Sequence, residues 1–422
     1  MTKFEESFFV KFPSALFVFL PFTLITGPFL SDLSITLISL IYIFYCLKFK
    51  YFTFFKNKYF LIFFSFCILI TLNSLISNYN FSSFKSSFFY FRFGIFVGAV
   101  IFLLEKKPQL LEQLFYIFIL CFSALIIDSF IQYFYGKNIL GWAPVHEKHR
   151  ISSFFGSELI LGSYLSRFLP IIFALAIFLK KKNNSYIYIA AILLVFTEII
   201  VFLSGERTAF AYVNLSAIFI IIMIKNYKLL RFYTFSLAIV LIIIISIFNE
   251  SAKKRIIDLT LKQFNFSKKL DNKDDKIYIF SKQHNEHYIS AIKMFKENIF
   301  FGVGVKNFRN LCSDKKYYVS VLSCSTHPHN TYIQFLSETG LIGFFYIFSF
   351  FVFFCFMCLK HIYCLIKRKI LFNDFEVCLL AAILISIWPF APTGSFFNNW
   401  LSIVYYMPVG ILIWSRKLKL SP

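Results

Sequence analysis

The sequence predicts an all-α polytopic membrane protein of about twelve transmembrane helices with one large extramembrane loop, on three observations. Of the 422 residues, 59% are hydrophobic and 63 are Phe, far from the usage of soluble domains. The apolar residues run continuously over stretches near the roughly 20 residues that cross a bilayer, rather than alternating as barrel strands do. Lys and Arg collect in the short connections between runs, the pattern that sets membrane orientation.

The predicted spans are 14–30, 33–48, 59–77, 88–104, 114–134, 164–180, 186–204, 207–224, 232–248, 331–359, 376–392 and 400–414. The first, Ser14 to Leu30, lacks a small-x-small cleavage site and reads as a span rather than a signal peptide. Residues 1–248 then hold nine helices with a smaller outward loop at 135–163. Residues 249–330 form the large loop, and 331–422 hold three helices and a tail. Lys48, Lys50, Lys56 and Lys58; Lys106 and Lys107; Lys180 to Lys182; Lys225, Lys228 and Arg231; Lys360 to Lys369; and Arg416 to Lys419 mark one side as cytoplasmic. Both termini fall on it. Tyr288, Ala291, Ile292, Phe295 and Ile299 share one helical face, expected to rest on the membrane surface, with Lys253, Lys254 and Arg255 near anionic lipid.

The formal charge of +22 is carried by these loop Lys and points to orientation, not to nucleic acid. Seven of nine Cys lie in or beside apolar runs as packing residues. Cys312 and Cys324 lie in the long loop and are expected to pair if it faces an oxidising space.

Six of seven His lie in the outward loops: His146, His149, His284, His287, His327 and His329. None belongs to a tight zinc-type cluster, so no metal is expected. Six of nine Arg lie at or near the same side: Arg92, Arg150, Arg167, Arg207, Arg255 and Arg309. Arg forks match phosphate oxygens bidentately, so several converging there suit a pyrophosphate. Glu338, Glu198 and Asp128 are acids within spans, where charge is costly; Glu338 is expected to meet an Arg. Thr331-x-x-Gln334 fits a capping box at a helix start. His329, just before it, is expected to be held neutral as a base by the helix's positive end. Pro328 is expected to turn His327 and His329 apart. Gly340 and Gly343, about one turn apart, are expected to admit a neighbouring helix.

His329-Asn330, nine residues, Gly340, two residues, Gly343 resembles the signature of the O-antigen ligase and O-antigen polymerase superfamily. Phe301-Gly302-Val303-Gly304-Val305-Lys306-Asn307-Phe308 resembles the stretch that precedes it. Ser204-Gly205-Glu206-Arg207 is similar to a Ser-Gly-Ser-Arg turn, with Glu206 departing from Ser. Arg150 with Ser153-Phe154-Phe155-Gly156 is similar to an upstream element. The resemblance covers residues 150–343 by motif. It implies a glycosyltransferase of the bacterial inner membrane, needing no metal, nucleotide or other cofactor and working at the periplasmic face. The implied donor is an undecaprenyl-pyrophosphate-linked glycan and the acceptor a lipid A–core hydroxyl, in a single inverting displacement. The candidate site is then His329, Arg207 and Glu338 as catalytic groups, with Arg150, Arg92, Arg309, Asn330, His327, Gly302 and Gly304 binding substrate. His329 Nε2 is expected to take the acceptor's proton. The same motifs admit a polysaccharide polymerase or an O-oligosaccharyltransferase. A twelve-helix secondary transporter is the reading of another class; the absence of an inverted repeat and of a broken pair of mid-membrane helices speaks against it.

Overall fold

A chain in lipid must bond its own backbone groups, and continuous apolar runs do so as helices. The computed structural model describes residues 3–77, 80–145, 150–264 and 281–420. His146 and His149 lie outside the described residues. The long helices, in chain order, are α1 (Ser7–Thr26), α2 (Pro28–Phe49), α3 (Lys58–Leu75), α4 (Phe81–Lys106), α5 (Leu110–Tyr135), α6 (Leu161–Leu179), α7 (Ser185–Ser204), α8 (Arg207–Met223), α9 (Lys228–Phe248), α10 (Lys282–Glu297), α11 (Thr331–Ile366), α12 (Asp374–Ser386) and α13 (Asn399–Leu420). Among the described residues, nine of them are long and apolar enough to cross a membrane: α1 to α7, α9 and α11. The protein is a multi-pass membrane protein. The expected spans at 207–224 and 376–392 are helices of 17 and 13 residues, α8 and α12.

Two groups of helices make the bundle. Helix α6 packs against α7, α8 and α12, and α4 packs against α2 and α13. Aromatic stacking ties α3 to α11: Phe66 lies 4.3 Å from Tyr346 at 11° between planes, and 5.8 Å from Phe335 at 20°.

Helix α11 is broken inside its run. Gly340 takes φ 65°, ψ −164°, which only glycine adopts readily. The backbone groups freed there bond to the turn segment 299–304. Val303 and Gly304 N–H donate to the Ser337 and Glu338 carbonyls at 2.9 Å each. On the far side of the break, Leu341 N–H donates to the Ile299 carbonyl at 2.8 Å and Ile342 N–H to that of Phe300 at 3.4 Å. A Cβ on Gly340 would lie 2.3 Å from the Phe300 backbone, and one on Gly302 would lie 2.5 Å from that of Glu338. The glycines thus admit this turn segment as a clasp, rather than the neighbouring helix expected at Gly340. Gly302 N–H donates to the Asn298 carbonyl at 2.8 Å and Gly304 N–H to that of Glu338, so the donors of the two glycines expected to bind substrate are engaged within the fold.

Helix α10 buries Glu286, His287, Ser290, Ala291 and Met294 against the protein. Ala291 and Met294 pack with Val303, Phe308, Leu311, Cys312 and Tyr317 in a small core of their own. Of the stripe expected to rest on the membrane surface, Ala291 is buried in this core, Tyr288, Ile292 and Phe295 are half-buried, and Ile299 is exposed. Cys312 and Cys324 are joined by a disulfide, their Cα atoms 5.1 Å apart.

Candidate active site

The polar groups gather where α7 ends, α8 and α11 begin, and α10 crosses. The α11 start is capped by Asn330, not by the expected Thr331–Gln334 box. Asn330 Oδ1 accepts from Tyr332 N–H at 3.0 Å and Ile333 N–H at 3.1 Å, and its Nδ2 donates to the Pro389 carbonyl at 2.8 Å. Asn330 is thereby engaged in the fold through both ends of its amide. Gln334 instead donates from Nε2 to Glu338 Oε2 and Ser395 Oγ, both at 2.9 Å.

Glu338 is fully buried and accepts from Gln334 and from Phe308 N–H at 3.4 Å. No ion pair joins it to an Arg among the described residues, against expectation. Its carboxylate anchors the loop after the clasp rather than facing the histidines. The other acids in spans are likewise bonded: Asp128 accepts from Ser153 Oγ at 2.6 Å and Ile139 N–H at 2.9 Å, and Glu198 from Asn214 at 3.3 Å.

His329 has φ 60°, a left-handed backbone rare for a residue with a Cβ and common at functional sites. This turn folds its ring back onto that of His327, with centroids 4.1 Å apart. The two imidazoles do not point apart, because Pro328 restrains His327 but leaves His329 free to take the left-handed well. His284 and His287 from α10 complete the group, each 5.2 Å from the His329 ring. Thr393 ties the segment down: its N–H donates to the His329 carbonyl at 2.9 Å and its own carbonyl accepts from His327 Nε2 at 3.1 Å. Arg167 donates to Thr393 Oγ1 at 3.2 Å. The α12 run stops at Ser386, before Pro389 and Pro392, and the turn that follows delivers Thr393 to this point.

The tautomers follow from these partners. His327 Nδ1 faces Thr326 Oγ1 at 2.9 Å and its Nε2 faces the Thr393 carbonyl, so Nε2 carries the proton. His329 Nε2 faces Ser325 Oγ at 3.0 Å. The expected proton acceptor, Nε2, is thus occupied, and Nδ1 is the nitrogen with no hydrogen bond to the described residues. Burial pushes His329 down to about 2, with repulsion from His327, His284 and His287 adding to it. The direction is the expected one, but the cause is desolvation rather than the helix terminus. His327 and His284 are pushed down to about 4, again by burial first. His287 is lowered by burial as well, with Glu286 opposing, and neither of its buried ring nitrogens has a hydrogen-bond partner among the described residues. Among the described residues no three His, Cys, Asp or Glu side chains are placed to hold a metal ion.

Cations flank the four rings on two sides. On one, Arg150 Nε donates to the Ser204 carbonyl at 3.0 Å and Arg255 Nε to the Gly205 carbonyl at 2.9 Å, around the turn that opens α8 at Arg207. Burial, then Arg255 and Arg207, pushes Arg150 down to about 10, with Glu206 opposing. Glu206 caps α6: its carboxylate accepts from Gly162 N–H at 2.7 Å and Ser163 N–H at 3.0 Å. Desolvation raises it to about 7, opposed first by the Gly162 hydrogen bond and then by Arg150. Arg207 acts on His284 from this side. On the other side Arg309 acts on His327 and lies near Lys306. Arg92 does not join Arg150 as expected; it pairs with Asp32 at 2.6 Å, on the Lys306 side.

Five of these residues were singled out by sequence for other reasons or not at all. Arg255 was assigned to lipid and turns into the 204–207 turn instead. His284 and His287 carried only their one-turn spacing as a signal. Ser325 and Thr393 carried none, because Ser325 is brought to His329 only by the left-handed turn there and Thr393 comes from a distant segment.

Residues 189–348 match the model of a family described as O-antigen ligase, which supports placing the chain in the O-antigen ligase superfamily. The match covers α7 to the middle of α11, including the 204–207 turn, α10, the clasp and the four histidines. No curated protein matches the chain.

Proposed function

Taking the chain as a multi-pass membrane protein of the O-antigen ligase superfamily, we propose that it transfers a glycan from a polyprenyl pyrophosphate, of the undecaprenyl type, to an acceptor hydroxyl. The observation that carries this reading is His329. It is a neutral, desolvated imidazole with one nitrogen held by Ser325 and the other unengaged, set between two groups of cations. Such a base has no evident structural use and is suited to taking a proton.

In this scheme Arg150, Arg207 and Arg255 meet the oxygens of the donor's pyrophosphate. The acceptor oxygen attacks the anomeric carbon from the face opposite the pyrophosphate, and the carbon–oxygen bond to the phosphate breaks. The hydroxyl proton passes to His329 Nδ1, and the bonding pair leaves with the polyprenyl pyrophosphate, whose growing charge the guanidinium groups stabilise. One displacement inverts the anomeric centre. A base held down to about 2 is weak in the empty site. A bound pyrophosphate brings negative charge toward the histidines and raises it toward the working range. In this scheme Ser325 Oγ accepts from Nε2–H, the tautomer that leaves the Nδ1 lone pair free.

The ligase reading, with lipid A–core as acceptor at the periplasmic face of the inner membrane, stays ahead of the polymerase reading on the family description. For the transporter reading, the break in α11 is a feature the sequence did not announce. Its free backbone groups are bonded by the 299–304 clasp, so it offers no ion ligands of the kind transporters use. The test is the purified chain in liposomes with a lipid-linked glycan donor and a defined acceptor. Product of inverted anomeric configuration, read by NMR, supports the proposal. Movement of the glycolipid or its sugar across the bilayer without bond exchange contradicts it.

A further inference from the structure

The 204–207 turn and the histidines come from distant chain segments, and one buried side chain touches the supports of both. Arg167 lies on α6 and is buried inside the bundle. Its Nη2 donates to Thr393 Oγ1 at 3.2 Å. Thr393 in turn gives its N–H to the His329 carbonyl, and its own carbonyl accepts from His327 Nε2. In the other direction Arg167 Nε donates to Ser163 Oγ at 3.3 Å. The Ser163 N–H is held at 3.0 Å by the carboxylate of Glu206, the residue before Arg207. The guanidinium carbon lies 5.0 Å from the Tyr212 ring centre on α8 and 5.5 Å from that of Tyr405 on α13.

A cation placed there needs a use. Charge inside a membrane bundle is costly. Among the described residues Arg167 pairs with no carboxylate, and its Nη1 has no hydrogen-bond partner. The two aromatic faces recover part of that cost, but an apolar side chain would fill the same space without incurring it. What an apolar side chain cannot do, and a lysine does poorly, is reach two hydroxyls at once from one planar fork. We propose that Arg167 is a positioning residue: its fork, bonded to Thr393 on one arm and to Ser163 on the other, sets His329 in place relative to Arg207. The proton acceptor and the groups that meet the leaving phosphate work on opposite faces of one carbon. Their separation therefore decides whether attack and departure are in line. This rests on the transfer reading above and adds a residue to it that acts through its neighbours.

The test measures glycan transfer by the purified full-length protein in liposomes, with unfolding temperatures, beside NMR of the histidine ring nitrogens in nanodiscs. Thr393→Val keeps the side-chain shape and removes only the hydroxyl, so it should unfold at the wild-type temperature. Turnover should fall about 10–10²-fold in Arg167→Gln and in Thr393→Val, the scale of a small misplacement, with little change in donor KM. Thr393→Ser, which keeps the hydroxyl, should regain most of the rate. The double variant Arg167→Gln/Thr393→Val should lose no more than Arg167→Gln alone, because both changes cut one link. The ring signals of His327 and His329 should shift in both single variants. Those of His361, bonded to the Met223 carbonyl at the other end of α11, should not. A wild-type rate for Thr393→Val, or losses that multiply in the double variant, overturns the positioning role. So does a loss that comes with a lowered unfolding temperature and unmoved signals of His327 and His329. A wild-type protein that transfers no glycan ends the transfer reading. The ring signals then decide the link alone: unmoved signals overturn it, and shifted ones keep Arg167 as the tie between the histidines and the turn.

Discussion

At the scale of single residues, the proton path depends on which nitrogen of His329 is engaged. Ser325→Ala removes the partner of Nε2 and frees the ring to take the other tautomer. The expected result is a fall in turnover with little change in donor KM, and a shifted pH profile; Ser325→Thr should restore both. A loss confined to KM would mean that Ser325 only shapes the pocket. Arg207→Lys keeps the charge but not the planar fork, and transfer should fall by at least about tenfold for the lost bidentate geometry. The histidines also predict a pH dependence of stability. In the unfolded chain they take protons below about pH 6.5, whereas in the fold His284 and His327 resist until about 4 and His329 until about 2. Stability is therefore present above about pH 6.5 and lost as the pH falls from there toward 4. Thermal unfolding in detergent at pH 7.5 and pH 5 should show that drop, and His284→Gln should reduce it; a flat profile would mean the rings are wetter than their burial implies. His329, Arg150 and Arg207 were legible as residues because chemistry restricts which side chains can serve. Their partners were not. Ser325 lies four residues from His329 but is aimed by the left-handed turn at 329, and Thr393 arrives from the far side of α11.

At the scale of elements, the break in α11 and the segment 299–304 form one unit. The sequence displayed both glycine motifs without showing that they meet. Glycine pairs in apolar helices usually mark helix–helix contact, and only the fold reveals that the turn segment 299–304 fills the gap. Gly340→Ala must keep φ 65° and place a Cβ against the Phe300 backbone. The strain alone costs about 1–3 kcal/mol, and the expected outcome is a clear fall in unfolding temperature together with lost transfer, since Glu338 and the α11 start move with the clasp. An unchanged unfolding temperature would show that the helix can close over the break. The Cys312–Cys324 bridge ends one residue before Ser325. Cys312→Ser/Cys324→Ser should leave the membrane helices folded and reduce transfer through looser placement of Ser325 and His327; full activity without the bridge would separate the loop from the site.

At the scale of the whole molecule, run length and loop charge were sufficient to read a multi-pass helical membrane protein. They overstated α12, because the apolar run continues past Ser386 to Ala391 while the chain leaves the helix to reach the histidines. The helical face expected on the membrane surface belongs to α10, whose Ala291 and Met294 are instead buried against protein. Orientation rests on the Lys-rich connections. Single cysteines at Lys181 and Lys228, both exposed, should resist an impermeant thiol reagent in intact cells, and one at exposed Lys315 should react. The reverse pattern would place the histidines on the cytoplasmic side and remove the periplasmic reaction. Neither metal nor nucleotide enters the proposed chemistry, because pyrophosphate leaves readily and arginines meet its charge. Transfer should therefore persist in EDTA, and inhibition rescued by one divalent ion would reassign the cluster of His284, His287 and His329.

The central claim is that His329 takes the acceptor's proton. The most direct measurement is the rate of glycan transfer from a polyprenyl pyrophosphate donor by purified wild-type protein and His329→Ala, at matched amounts and with matched unfolding temperatures. Removal of a general base predicts a loss of about 10²–10⁴-fold in turnover, with the donor still bound. His327→Ala should lose less, because that ring positions its neighbour and already spends both nitrogens on Thr326 and Thr393. Transfer by His329→Ala at near the wild-type rate would contradict the assignment and leave His329 as a residue that holds the loop.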